Sequence, residues 1–258
     1  MTGSKDRKDV EARRAATVLV LRENDGIEVL MVQRSDRGMF ANALVFPGGM
    51  LESHDHSDEW IPHLTGIDGL LKSEQALRIA AIREVWEETG ILLIGGDDEF
   101  ISPPKQPESE EFLKQIRSRN LKLNLSDIQL FSNWVTPVGP PKRYDTFFYI
   151  ARFDGNYEAF CDGIETVKLE WVKPQDLLAR HNREDIDLLL ATMGNLELLA
   201  KSSTISEAFE AASKRNISIV TPEMKTLDGI DIVTVPAGTE FGNLAIPTKR
   251  IFRRRTSR

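Results

Sequence analysis

Two apolar, β-branched runs, Ala15 to Arg22 (AATVLVLR) and Ile27 to Gln33 (IEVLMVQ), are separated only by Asn24-Asp25-Gly26. Asp-Gly supplies the positive φ that a tight reversal needs, so the pair is predicted to form an antiparallel hairpin. A third short strand is predicted over Ala43 to Phe46, stopped by Pro47-Gly48-Gly49. The stretch from Leu51 to Lys72 is irregular, with Asp, His, Pro and Gly scattered through it, and reads as a long loop or an insertion. Ser73 is placed to cap a helix that has Glu74 in its first turn and runs through Thr89, with Gly90 as its C′ residue. Ile79, Ile82 and Trp86 form the buried stripe of that helix.

Further along, Glu108 to Arg119 reads as a surface helix. Leu130 to Thr136, Thr146 to Phe153 and Thr166 to Val172 read as strands, and Pro174 to Arg180 opens another helix. Arg183 to Lys214 is predicted to be helical, broken near Gly194 and Ser202-Ser203, with late short strands at Ile217 to Val220 and Ile230 to Val235. The expected architecture is α/β, a mixed sheet flanked by helices over residues 12–180, followed by a largely helical C-terminal extension over 181–258.

The chain has 258 residues, with 33 Lys+Arg against 40 Asp+Glu and one cysteine, Cys161. One cysteine excludes a disulfide framework and a Cys-based zinc site and fits a reducing compartment. Residues 1–14 are polar with no apolar core of a signal peptide, and no apolar run approaches the ~20 residues of a membrane helix. The expectation is a soluble cytoplasmic protein without a membrane partner. Six basic residues fall between Lys249 and Arg258, so the rest carries 27 Lys+Arg against 40 Asp+Glu. A body so acidic argues against a phosphate-backbone binder, and no nucleic-acid partner is expected. The tail with Arg253-Arg254-Arg255 reads as a solubilising end, and its final Thr-Ser-Arg is not a peroxisomal Ser-Lys-Leu signal.

On the predicted helix, Glu84, Glu87 and Glu88 share one face, opposite Ile79, Ile82 and Trp86. Like-charged i,i+4 neighbours repel by roughly 0.2–0.5 kcal/mol per pair. Arg83 relieves part of this through its i,i+4 relation to Glu87. Two readings follow: a solvated acidic face, or a site for a hard divalent cation such as Mg²⁺ or Mn²⁺, which prefer oxygen ligands. Gly48-Gly49 upstream favours the second, because paired glycines let backbone approach an ion or a phosphate closely.

Arg83-Glu84-Val85-Trp86-Glu87-Glu88-Thr89-Gly90-Ile91 matches the second half of the Nudix box, R-E-U-x-E-E-x-G-U with U apolar, and Phe46-Pro47-Gly48-Gly49 matches its start. The chain thus resembles the Nudix hydrolases. The resemblance implies an α/β/α sandwich and hydrolysis of the diphosphate in a nucleoside diphosphate linked to another moiety, with Mg²⁺ or Mn²⁺. Carried over, Gly48, Glu84, Glu87 and Glu88 become metal-site residues and Arg83 the organiser beside them.

The full box has five residues between its Gly and an early Glu, then seven before the Arg. Counted back from Arg83, the early position falls on Gln75, with Glu74 adjacent, which puts an insertion of about 20 residues, over 50–73, inside the box. That insertion, Arg34-Ser35 upstream and Trp134-Val135-Thr136-Pro137 followed by Lys142-Arg143-Tyr144-Asp145-Thr146 resemble the branch containing peroxisomal coenzyme A diphosphatases. The CoA-specific pattern is matched in part, with Met39 and Asn42 standing where Arg and Gly are wanted. CoA is therefore one candidate substrate beside acyl-CoA, ADP-ribose, NADH and nucleotide sugars; a non-hydrolytic nucleotide-binding module is the rival reading.

Arg34, Lys142, Arg143 and Tyr144 are candidate substrate-binding residues, able to clamp phosphate or stack, and Trp134 reads as core. Glu165 is the candidate general base, with Glu170 beside it, by analogy with where Nudix enzymes often place a further Glu. His54, His56 and His63 read as loop residues rather than as a Zn²⁺ or Ni²⁺ site. A homodimer is compatible with the extension.

Overall fold

The computed structural model describes residues 10–35, 43–94, 99–104, 110–138, 140–155 and 166–251. Strands β1 (Arg13–Glu23) and β2 (Ile27–Arg34) form the predicted hairpin, with Asp25 and Gly26 both at positive φ in the turn. β3 (Leu44–Val45) pairs with the far end of β2, and β4 (Gly48–Met50) pairs with the start of β1. β2 and β4 therefore share one edge of β1: β2 takes Leu21–Glu23 and β4 takes Ala15–Thr17. The sheet is completed by β5 (Ile128–Val135), β6 (Tyr144–Arg152), β7 (Thr166–Val172) and β8 (Ile219–Val220), in the order β7-β2-β1-β6-β5-β8. The β1/β6 and β5/β8 pairs are parallel and the others antiparallel, a mixed sheet.

Alternation along β1 sends its side chains to two cores. Ala16, Val18 and Val20 join one with Leu77, Ile79, Ile82, Val85 and Trp86 of helix α1 (Lys72–Thr89) and Phe112, Leu113 and Ile116 of α2 (Glu111–Ser118). Leu19 and Leu21 join the other with Leu177 of α3 (Pro174–Asn182), Leu190, Met193 and Leu196 of α4 (Leu190–Leu199) and Ile205, Ala208 and Ala212 of α5 (Ile205–Lys214). Helices thus cover both faces of the sheet, the expected α/β/α sandwich.

Several local expectations change. Helix α1 starts at Lys72 with Leu71 at the N-cap instead of Ser73, because the Glu74 carboxylate accepts the Leu71 N–H at 2.9 Å and ties off the first turn one residue pair earlier. Its acidic face is not solvated: Arg83 and Glu88 are buried along with the apolar stripe. The cover is the 51–72 stretch, which folds into two 3₁₀ turns (Ser53–His56 and Asp58–His63) and a short strand, Leu64–Thr65, paired in parallel with Leu123–Asn124. Trp60 anchors it, buried against Phe112 at 5.4 Å between ring centroids, and Phe112 in turn meets Trp86 at 5.3 Å.

Gly194 does not break the helical segment. It sits inside α4, where a Cβ would come within 2.9 Å of Trp134 and 3.0 Å of Phe241, so the glycine serves close packing. The extension also holds more strand than expected: β9 (Glu223–Leu227), β10 (Ile230–Thr234) and β11 (Ala245–Pro247) form a three-stranded antiparallel sheet. Through β8, α4 and α5 the chain beyond residue 181 is built into the main sheet and its second core.

Candidate active site

The site forms where β4 crosses the last two turns of α1. Pairing of Ala16 with Gly49 and Thr17 with Gly48 fixes the glycines at the start of β1, and the Gly48 N–H donates to Glu88 Oε2 at 3.1 Å. A Cβ on Gly49 would lie 2.4–2.5 Å from the Glu84 carboxylate, so only glycine leaves room for that side chain.

Arg83 is the centre of the cluster, 1 % exposed. Its Nη1 donates to Glu84 Oε1 at 2.8 Å and to Glu87 Oε2 at 3.0 Å. Its Nη2 donates to the Met50 carbonyl at 2.9 Å and to Asp55 Oδ2 at 3.1 Å, and its Nε to Asp55 Oδ1 at 3.0 Å. A guanidinium has five N–H groups in a fixed fork, and all five are used. Asp55 is equally buried and also accepts the Glu52 N–H at 2.8 Å.

Asp55 was not among the residues singled out from the sequence. It stands after five residues counted forward from Gly49, the place of the early acid in the box, and binds the Arg in bidentate fashion. The extra length therefore lies between Asp55 and α1, and Gln75 is not the early position: its side-chain amide caps the Leu70 carbonyl. Counting forward from the glycine instead of back from the arginine was the signal that would have found Asp55.

The electrostatics are those of a site short of positive charge. Glu52, Asp55, Glu84, Glu87 and Glu88 surround one Arg. Burial pushes the Glu84 carboxyl above the usual carboxylate range in spite of Arg83, with Asp55 and Glu52 adding to the rise. Burial raises Glu87 to about 7, opposed by Arg83 and reinforced by Glu84 and Glu52. For Arg83, burial disfavours the charge, but Glu84, Asp55 and Glu87 outweigh it and hold the proton more tightly than water does. As the side chains stand, Glu84 and Glu87 turn onto Arg83 and Glu88 onto Gly48, and among the described residues no three Asp, Glu, His or Cys side chains already form a metal cage. The donor set, all carboxylate oxygen with uncompensated negative charge, suits a hard divalent cation and not a soft one. His54, with Glu52 Oε2 and Asp55 Oδ1 both 3.4 Å from its ring nitrogens, lies on the outer side of Asp55. His63 reaches the Leu121 carbonyl across the insertion.

The remaining candidates separate. Lys142 and Tyr144 line an apolar cleft of about 620 Å³ that meets β1 at Thr17, the register partner of Gly48. Trp134 forms part of its wall and is buried against Phe241 at 4.7 Å. Arg143 is engaged elsewhere, with Nε on the Thr136 carbonyl at 3.0 Å and Nη1 on the Val10 carbonyl at 2.8 Å, which tie the β5–β6 connection to the start of β1. Arg34 ends β2, in register with Thr166. Glu170 on β7 pairs with Arg180 and Lys168. Glu165 lies outside the described residues, as do Met39, Asn42, Cys161 and the Arg253-Arg254-Arg255 tail. No helix among the described residues is long and apolar enough to cross a membrane.

The chain is similar to known proteins in sequence and in fold. The chain is 26% identical to the acyl-coenzyme A diphosphatase NUDT19 of Xenopus laevis, over 74% of this chain and 64% of that protein. It is 23% identical to the human protein of that name, over 71% and 63%. The chain thus spans somewhat under two thirds of the length of these relatives. A crystal structure of a Nudix hydrolase from Alicyclobacillus acidocaldarius superposes with a TM-score of 0.69 at 25% identity, over 81% of this chain and 97% of that one. The model of the NUDT19 Nudix domain matches residues 64–196, more than half of the chain, and the chain belongs to that Nudix family.

Proposed function

We propose that the protein is a Mg²⁺- or Mn²⁺-dependent diphosphatase that cleaves a nucleoside diphosphate linked to another moiety, with coenzyme A or acyl-CoA as the leading substrate. The observation that carries this reading is the Arg83-centred cluster: Glu84, Glu87 and Glu88 gathered beside Gly48-Gly49 with more negative charge than the one arginine neutralises. Glu84, Glu87 and Glu88 would hold the cation, with Gly48 at the edge of the site. When bound, a divalent cation neutralises charge on the bridging oxygens and lowers the pKa of its water.

Arg83 orients Glu84 and Glu87 and is itself fixed by Asp55 and the Met50 carbonyl. With all its donors used inside the protein, Arg83 is a positioning residue and not a substrate contact. Glu165 remains the proposed general base, since Glu170 is held by Arg180. The names of the relatives support a CoA-type substrate; ADP-ribose, NADH and nucleotide sugars carry the same scissile group. A cytoplasmic location and the absence of nucleic-acid and membrane partners complete the proposal.

The test is a hydrolysis panel of CoA, acyl-CoA, ADP-ribose, NADH and nucleotide sugars with Mg²⁺ and with Mn²⁺. From CoA the expected products are adenosine 3′,5′-bisphosphate and phosphopantetheine, and Glu87→Gln and Glu88→Gln are expected to lose nearly all turnover while keeping their melting curves. Wild-type rates in those variants would refute the site. Tight nucleotide binding with no product would favour a non-hydrolytic binding module instead.

A further inference from the structure

The face of the sheet that carries α1 continues past the glutamates as an open shelf. Alternation along β1 puts Ala16, Val18 and Val20 on that face. Strand pairing extends it sideways: Ala16 lies between Gly49 of β4 and Phe147 of β6, Phe147 is in register with Asn133 of β5, and Arg14 is in register with Asp145. Glu84 stands over Gly49, where a Cβ would meet its carboxylate. At ~4.8 Å per strand, Phe147 is about 10 Å from Gly49 on the same face, the reach of a cation-bound phosphate and its ribose. Beyond α1 the shelf is open: Asp145 and Phe147 are half-buried, and Arg14 and Ile219, the β8 partner of Asn133, are exposed. Two acceptors on it are held in place and left without a donor. Asn133, 5 % exposed, donates through Nδ2 to Asp145 Oδ1 at 2.8 Å and to the Thr146 carbonyl at 3.2 Å. Both partners accept, so the amide orientation is forced and its Oδ1 is turned away from them. Among the described residues neither Asn133 Oδ1 nor Asp145 Oδ2 receives a hydrogen bond, and Arg14 makes no ion pair with Asp145.

We infer that Asp145 and Asn133 read the exocyclic amino group of the substrate's nucleobase, with the base lying over Phe147, so that adenine-bearing diphosphates are selected over uracil- and hypoxanthine-bearing ones. That assignment rests on the diphosphatase reading for what the base is attached to. Two free acceptors match an amino group with its two N–H donors. Uracil and hypoxanthine put a carbonyl oxygen in its place, which accepts only and is repelled by a carboxylate. Asn133 spends both of its N–H groups on fixing the partners around it, so Asp145 presents Oδ2 in one direction. Among the candidate substrates this puts CoA, ADP-ribose and NADH ahead of uridine diphosphate sugars.

The test compares bases with and without the amino group. With the full chain and Mg²⁺, binding of AMP, IMP and UMP is followed by calorimetry, and kcat/KM is measured for NADH and for its hypoxanthine analogue, which carries oxygen in place of the amino group. The expected result is AMP bound about tenfold or more tighter than IMP or UMP, with a similar ratio of kcat/KM carried by KM. Asp145→Asn keeps an acceptor for the Asn133 N–H and turns an NH₂ outward, so the preference is expected to shrink at least about fivefold or to invert in favour of hypoxanthine; melting curves show whether the variant folds. A role confined to holding Asn133 would lower Tm without moving the AMP-to-IMP ratio, and that outcome would overturn the assignment. No selectivity in either assay with the wild-type protein, undetectable binding included, would overturn it whatever the variant does, and leaves the diphosphatase standing where CoA is still cleaved. AMP preferred over IMP, with the preference lost in Asp145→Asn and no hydrolysis of any diphosphate, would uphold the base contact and sink the diphosphatase reading.

Discussion

Replacing Asp55 with Asn keeps its shape and removes one charge from a pair in which both partners are about 1 % exposed. Asp55 accepts two N–H groups of Arg83, at 3.0 and 3.1 Å, and one from Glu52 at 2.8 Å. An Asn has one carbonyl oxygen for these donors, and its NH₂ must face at least one of them. Removing one partner of a buried ion pair costs about 3–5 kcal/mol. The lower end applies here, because Glu84 and Glu87 still neutralise Nη1. For a chain of this size about 3 kcal/mol lowers Tm by roughly 6–12 °C, at about 2–4 °C per kcal/mol. The control is Asp58→Asn, three residues on, whose pair with Lys72 is solvent-exposed on both sides and contributes at most about 1 kcal/mol. Differential scanning calorimetry of both variants decides the matter. An Asp55→Asn protein that melts within about 2 °C of Asp58→Asn would show that Asp55 does not secure Arg83.

Gly49→Ala is expected to leave the fold within about 1 kcal/mol of wild type, because the Cβ meets only a carboxylate tip, yet to displace Glu84 and lower kcat by about 10²-fold or more; unchanged turnover would count against the close approach. Trp60→Ala removes the insertion's anchor and is expected to cost about 3–5 kcal/mol, read as a shift in the urea midpoint. Because Glu87 titrates near 7 in the folded protein and about 4.5 unfolded, the metal-free protein takes up protons on folding between those values and loses stability as pH rises through them. A cation that binds the ionised form reverses this loss, so the increase in Tm produced by Mn²⁺ is expected to grow from pH 6 to pH 8; a pH-independent increase would mean that Glu87 is not engaged.

Local features were legible wherever a residue's own chemistry decided the outcome. Asp25-Gly26 turned the hairpin, Gly90 ended α1 in the left-handed conformation at φ 73°, and the spacing of Glu84, Glu87 and Glu88 put them on one side of a helix. What escaped depended on partners far along the chain. Asp55 and Arg83 are 28 residues apart, and only the folded insertion makes them neighbours. The irregular look of 51–72 hid an ordered piece because its order comes from Trp60 meeting Phe112, not from any periodicity of its own. Gly194 resembled a helix breaker because its requirement, room for Trp134 and Phe241, is set by residues 60 and 47 positions away. Arg143 looked like a phosphate clamp, but its guanidinium meets backbone carbonyls at Thr136 and Val10, which no motif encodes.

The parallel pairing of β1 with β6 has a consequence for how the protein is made. Arg13 lies opposite Tyr144, 131 positions later, and the outermost strand, β8, is supplied only at Ile219–Val220. When α1 leaves the ribosome, the long edge of β1 that β6 will occupy has no partner, and the apolar face destined for α3 to α5 has no cover. Contacts so distant in sequence form slowly, and open strand edges invite pairing with other chains. The nascent protein must therefore carry its finished acidic helix beside a half-built sheet until the chain beyond α3 supplies the missing strand and cover.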